Sequence, residues 1–406
     1  VTAEQTAKYG LPPAVKYCRR CVMSNQRPAS MPEFKHTPSR HGAKYLHIDA
    51  EGVCDACRQA EIKDKIDWQS REEELLRLLD RHRRNDGHYD CIVPGSGGKD
   101  SSFQAHVLKY KYGMHPLTIT WPPILYTDYG YQNFRNWIEI GGFDNITFRP
   151  NGRVHRLLTN LSIRNLLHPF QTFILGQKNL APKIAARYNI PLVFYGENEA
   201  EYGNPLAENT SSLRDQSYYV MNDLSEIYLA GLAVPELMDR YDLTLNDLMA
   251  YLPAPADELA QAKIEVHYLG YYLKWTPQEV YYYAVENTGF QARPFRTEGT
   301  YSKYNSIDDK IDDLHYFTTW IKFGLGRASY DASQEIRNRH LTREEGIILA
   351  RQYDGEMPTR YLKDILDHIE MSEDEFMALC DQFRSPHLWR QVEGQWSLNS
   401  PVWEAG

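Results

Sequence analysis

The stretch from Asp90 to Ser102, DCIVPGSGGKDSS, constrains this 406-residue chain more than any other. A short apolar run stops at a glycine-rich turn that opens directly into a helical pattern. Cys91, Ile92 and Val93 suit a buried parallel strand, while Gly95, Gly97 and Gly98 permit the positive φ and close backbone approach of an oxyanion-binding turn. Lys99 adds positive charge. From Ser101 onward, Phe103, Val107 and Leu108 fall at helical spacing. A phosphate held in the turn would therefore face backbone N–H groups and the positive end of a helix dipole.

Two better-known phosphate loops do not fit. A Walker loop needs Ser or Thr after its lysine, whereas Lys99 is followed by Asp100, and no G-x-G-x-x-G occurs here. The string Ser96–Ser101, SGGKDS, resembles the PP-loop of the ATP pyrophosphatases, which cleave ATP between the α and β phosphates. The resemblance implies an α/β fold of adenine-nucleotide α-hydrolase type. It also implies ATP contacts from Gly95, Ser96, Gly97, Gly98, Lys99, Asp100, Ser101 and Ser102, with Mg²⁺ near Asp100.

Four of the six cysteines fall in two C-x-x-C pairs, Cys18/Cys21 and Cys54/Cys57; Cys91 and Cys380 stand alone. Two such knuckles can fold four thiolates into a closed tetrahedral shell, so a structural Zn²⁺ site is expected, with an iron–sulfur cluster and disulfides as alternatives. No run approaches a membrane span, and the first residues lack a basic n-region and an apolar h-region. A cytoplasmic protein is expected. With 54 acidic against 45 basic residues the net charge is −9, which argues against a broad nucleic-acid face and favours a small-molecule substrate.

Taken in order, the pattern predicts a metal module over 1–67, a nucleotide-binding domain over 68–280 and a mainly helical region over 281–406 that contributes to the substrate site. Strands are expected at Cys91–Val93, Leu117–Trp121, Asn145–Phe148 and Ile190–Tyr195, with Val266–Tyr272 as a fifth. Helices are expected at Asn133–Ile140, Val154–Leu167 and Leu180–Tyr188. Ligands in such sheets lie beyond the carboxyl ends of the strands. Thr120 and Trp121 are thus candidates to wall the adenosine, although Trp121 equally suits an ordinary strand-end aromatic. The fourth strand runs into GENEAEYG (196–203), whose carboxylates suit metal binding or proton transfer, or simply a solvated loop. This segment resembles that of PP-loop amide-forming synthetases, which supports Glu197 and Glu201 as active-site residues. Farther on, Lys322 and Arg327 flank two glycines in a spacing suited to a pyrophosphate or sugar phosphate.

The paired C-x-x-C module, SGGKDS, GENEAEYG, the K-F-G-x-G-R stretch and LTREEG together resemble the N-acetyl sugar amidotransferases of surface-polysaccharide and nonulosonic-acid biosynthesis. That resemblance implies conversion of an acetamido to an acetamidino group through adenylation of the amide oxygen and displacement of AMP by ammonia. Lys99, Asp100, Glu197, Glu201 and Lys322 would be catalytic, and Asn198, Lys322 and Arg327 would contact the substrate, an N-acetylated sugar nucleotide. Neither Cys91 nor Cys380 sits in a G-x-C-x-G elbow, so ammonia is expected from separate glutaminase and cyclase-like subunits. A tRNA thiolase and a non-catalytic, zinc-organised nucleotide scaffold are the competing expectations.

Overall fold

The computed structural model describes residues 6–28, 45–197, 199–204, 206, 211–216, 219–221 and 223–405. The helix α1 (Asp55–Lys63) starts within the second cysteine pair, with Cys54 as its N-cap and Cys57 in its first turn, and α2 (Trp68–His82) follows it. The Asp67 carboxylate caps α2 by accepting from the Gln69 and Ser70 amides, and the helix buries Leu75, Leu78 and Leu79. This is the apolar face that the spacing demands.

The centre is a five-stranded parallel sheet of β1 (Cys91–Pro94), β2 (Pro116–Thr120), β3 (Asp144–Thr147), β4 (Leu192–Tyr195) and β5 (Glu265–Tyr268), in the order β3-β2-β1-β4-β5. Side-chain alternation divides its apolar residues between two cores. Cys91 and Val93 of β1 and Leu192 and Phe194 of β4 pack with Leu75 and Leu79 of α2 and with Trp275. Ile92 and Val193 face the other way. They meet α5 (Gly152–Leu166) and α6 (Gln171–Tyr188) through residues such as Leu158, Ala181 and Ala185. Both faces are covered, as a parallel sheet requires. The Asp90 carboxylate accepts from the Arg84 amide at 2.6 Å and the His115 amide at 2.8 Å, which pins the entries of β1 and β2 together.

All five expected strands form, with two instructive differences. The fifth ends at Tyr268, and Leu269–Tyr272 turn into one helical turn. The helix expected from Leu180 instead begins at Gln171 and runs through Pro182. A proline there leaves the Lys178 carbonyl without its helical donor, and the Tyr195 hydroxyl of β4 donates to that carbonyl at 3.2 Å. Tertiary context thus carries a helix past its usual breaker.

Between β1 and β2 lies α3 (Lys99–His106), and between β2 and β3 lies α4 (Asp128–Glu139). After β5 the chain is mainly helical, with α7 (Pro277–Thr288), α8 (Ile311–Phe323), α9 (Arg327–Arg337) and α10 (Arg343–Tyr353). Gly324, at φ 67°, ends α8. A capping box of Thr342 and Glu345 starts α10. The cysteine segment packs on this C-terminal part: Cys18, Cys54, Leu46 and Val53 share a buried cluster with Phe323, Leu388 and Trp389. Among the described residues no helix is long and apolar enough to cross a membrane.

Candidate active site

The turn after β1 and the start of α3 line a cleft of about 260 Å³. Gly98 is the N-cap of α3, and no side chain caps its first amides, which leaves them to a ligand. Gly97 has φ +86°, and a Cβ there would lie 2.6 Å from the Phe134 Cα and 2.8 Å from the Asn133 carbonyl oxygen. Only glycine lets the turn lie against α4. Gly95 is equally constrained, since its Cβ would meet the Ser101 Cβ at 2.2 Å.

Ser96, Gly97, Gly98, Lys99 and Asp100 all line the cleft. The Lys99 ammonium donates to both Asp100 oxygens, at 2.8 and 2.6 Å. Gly95, Ser101 and Ser102 stand behind this rim. The Ser101 hydroxyl donates to the Gly98 carbonyl at 3.1 Å, and Ser102 is buried. Their part is to shape the turn.

Glu197 enters the cleft from the end of β4. Burial, reinforced by the Asp100 charge, pushes its carboxyl up to about 8. Glu201 lies outside the lining, paired with the Lys63 ammonium at 2.7 Å, while its carbonyl accepts from Arg337 at 3.0 Å. Asn198 lies outside the described residues.

Three cations close the far side: Arg27 from the cysteine segment, and Arg327 and Arg337 from the two ends of α9. Burial opposes the Arg327 charge, but Asp331, in an ion pair at 2.8 Å, together with Tyr316 and Asp312 more than offsets it, so this guanidinium is held more firmly charged than usual. Arg27 lies against the rings of Tyr202 and Tyr330.

Asp308 completes the cleft opposite the turn, where its Oδ2 accepts from the Ser96 hydroxyl at 2.8 Å. Burial raises its pKa, and the Ser96 hydrogen bond works against that rise. The segment is fixed by its neighbours. The Asp309 carboxylate accepts from the Ile124, Leu125 and Ile311 amides, and the Thr127 amide donates to the Asp308 carbonyl at 3.0 Å. Asn133 of α4 exchanges two hydrogen bonds with the Gln291 backbone, at 2.9 and 2.8 Å, which locks the next stretch of wall.

Two expectations require correction. Lys322 does not reach the cleft: it sits on the inner side of α8, 1% exposed, with its ammonium donating to the Leu166 carbonyl at 2.6 Å and lying over the Tyr9 and Phe383 rings. Five residues on, Arg327 does reach it, because α8 ends at Gly324 in left-handed backbone and Arg327 opens a new helix. Trp121 and Thr120 do not wall the cleft either. Trp121 is core, packed on Phe148, His155 and Tyr251 and against Gly176, and the buried Thr120 hydroxyl accepts from Asn145. Arg27, Arg337 and Asp308 escaped the sequence reading. Only Asp308 carried a signal, in the acidic run IDDKIDDL (307–314).

The four paired cysteines converge as expected. All are buried and their sulfurs lie within 4.8 Å of one another. Four thiolates at that spacing suit a closed tetrahedral Zn²⁺ site. Cys18 sulfur also accepts from the Cys54 amide at 3.3 Å, and the Arg343 guanidinium donates toward the Cys18 and Cys21 carbonyls. The module borders the cleft, to which it supplies Met23 and Arg27.

A doubly covered parallel sheet whose first strand runs through SGGKDS into a helix, with cations gathered over the turn, is the α/β layout that the PP-loop resemblance implies. Residues 298–402 match the family model described as LPS biosynthesis protein WbpG-like, C-terminal domain. That match is confined to the C-terminal part of the chain and agrees with the resemblance drawn from its sequence. No curated protein matches it. Among solved structures, the NMN synthetase from Francisella tularensis is similar at 18% identity and a TM-score of 0.26, covering 56% of this chain and 89% of that chain. A likeness of that size has no bearing on activity.

Proposed function

We propose that this protein is an ATP-dependent amidotransferase of surface-glycan biosynthesis that converts the acetamido group of an N-acetylated sugar nucleotide into an acetamidino group. The observation that carries the reading is the convergence, in one cleft, of the SGGKDS turn, Glu197 and the guanidinium groups of Arg27, Arg327 and Arg337. The LPS-biosynthesis family of residues 298–402 supports the substrate class.

The amide oxygen of the sugar attacks the α phosphorus of ATP, the bond to the bridging oxygen breaks, and pyrophosphate leaves. An O-adenylyl imidate remains. Ammonia adds to its carbon, AMP departs with the former amide oxygen, and the amidine keeps the nitrogen. The logic is that an amide oxygen leaves poorly until it is part of a phosphate ester. In this scheme the turn amides and Lys99 hold the outgoing pyrophosphate, while Arg27, Arg327 and Arg337 screen phosphate charge. In the same scheme Glu197 accepts a proton from the incoming ammonia. Asp100, with Glu197 across the cleft, offers oxygen ligands of the kind Mg²⁺ takes. That ion would supply charge neutralisation at the phosphates.

Burial disfavours thiolate formation at both lone cysteines, raising the Cys91 thiol and pushing Cys380 up to about 12. This supports an ammonia source on a separate glutaminase and cyclase-like pair. It also disfavours a tRNA thiolase that carries sulfur on a cysteine beside the nucleotide. The deciding experiment incubates the protein with ATP, Mg²⁺, ammonium and N-acetylated sugar nucleotides. AMP, pyrophosphate and a sugar lighter by the difference between O and NH are expected; ADP and orthophosphate, or a requirement for tRNA, would refute the proposal.

A further inference from the structure

Beside the phosphate cleft lies a second cavity of about 380 Å³, and Tyr304, Asn305 and Asp331 line both. These three residues stand between the two cavities, so molecules seated in them would lie next to each other. The first sets Arg27, Arg327, Arg337 and Lys99 against the carboxylates of Asp100, Glu197, Asp308 and Asp331, whereas the second has no arginine and is organised around the buried Glu335 carboxylate, with Lys303 at its lining.

That carboxylate is held by donors from three elements. Gln278 of α7 donates to it at 3.0 Å, the His340 imidazole faces it at 2.7 Å, and the Tyr304 hydroxyl approaches at 3.5 Å. Tyr304 also stacks on Tyr281, with centroids 4.3 Å apart and planes 13° apart. The Tyr301 hydroxyl is buried at this cavity and has no hydrogen-bond partner among the described residues. A buried hydroxyl without a partner costs about 1–3 kcal/mol, so a ligand group that meets it is favoured.

Fixed carboxylate, amide, imidazole and phenol groups beside aromatic rings are the complement of a pyranose, which has hydroxyl edges and C–H faces. We infer that the second cavity is the acceptor subsite, taking the sugar ring of an N-acetylated sugar and directing its acetamido group past Asn305 and Asp331 to the phosphate cleft. The inference rests on the amidotransferase reading and adds to it the place where the acceptor binds.

The test uses the full chain with α,β-methylene-ATP bound and UDP-N-acetylglucosamine as the probe, read by saturation-transfer NMR and calorimetry. Gln278→Leu removes one arm of the polar set, and Ala292→Trp fills the cavity without removing a polar group. Each is expected to weaken sugar binding by about tenfold or more while the ATP analogue's affinity stays within about twofold. Unchanged sugar affinity in both variants overturns the assignment, as does a parallel loss of both ligands. A lower rate with ammonium at unchanged sugar affinity would give the cavity to the nitrogen donor and overturn it too. If an N-acetylated sugar releases AMP but the variants keep its KM, the subsite falls and the amidotransferase stands. If no N-acetylated sugar binds or draws AMP, that reading falls and takes the subsite with it.

Discussion

Asp308 accepts a 2.8 Å hydrogen bond from the Ser96 hydroxyl, joining the phosphate turn to the segment that leads into α8, 212 residues away in the chain. The C-terminal region is therefore part of the cleft and not an appendage to it. Asp308→Ala is expected to raise the KM for ATP by about tenfold, and Asp308→Asn, which keeps an acceptor, by less. Pyrophosphate–ATP exchange kinetics check this; equal KM values for the wild type and both variants would show that the contact does not position the turn.

Gly97→Ala tests whether the turn must be glycine. Left-handed backbone costs a non-glycine residue about 1–2 kcal/mol, and the added methyl would meet the α4 backbone at 2.6 Å. Loss of ATP binding together with a lower melting temperature is expected, read by calorimetry and thermal unfolding. Wild-type affinity in this variant would contradict the geometry.

Lys99 and Lys322 are both buried lysines, but only Lys99 lines the cleft. Lys99→Met is expected to lower kcat by about a hundredfold or more. Lys322→Met leaves the Leu166 carbonyl without its ammonium donor, so it should cost about 1–3 kcal/mol of stability while keeping the KM for ATP within about twofold. Denaturant titration and steady-state kinetics on both variants separate the roles.

Metal removal should reach the cleft, because the segment that carries Cys18 and Cys21 also carries Met23 and Arg27. About one Zn²⁺ per chain is expected by elemental analysis, with no visible absorbance of an iron–sulfur cluster. Chelation or Cys57→Ser should weaken ATP binding as well as lower stability. Full ATP affinity in the metal-free protein would disconnect the two sites.

The Lys183 ammonium donates to the Met249 carbonyl at 2.7 Å, and burial lowers its pKa from 10.5 to about 8. Between those values the unfolded chain holds a proton that the folded chain has lost, so this residue's contribution to stability increases with pH there. Relative to Lys183→Met, the wild type should gain stability from about pH 8 to about pH 10 and stay level below pH 8, as measured by urea unfolding. A flat difference across that range would refute the assignment.

Much of this arrangement was legible in local sequence because its causes are local. Strand, glycine turn and helix follow one another within Asp90–Ser102, and each C-x-x-C pair brings its own two sulfurs together. The run of apolar residues in β1 and β4 marks strands covered on both faces, since alternate residues feed opposite cores. The carboxylate of Glu197 was equally readable, one residue beyond the glycine that ends β4.

What the tertiary structure alone decided is which distant groups meet. Arg27, Arg337 and Asp308 reach the cleft because the cysteine segment packs on the C-terminal helices and Asp309 pins the chain before α8 through three backbone amides. Lys322 and Arg327 look interchangeable in sequence, yet the break in helix at Gly324 leaves one in the core and the other lining the cleft. Trp121 likewise went to the core, because Gly176 leaves room for its ring there. Local conformation follows from neighbouring residues, but the direction a side chain faces depends on how remote elements pack, and no spacing in the sequence records that.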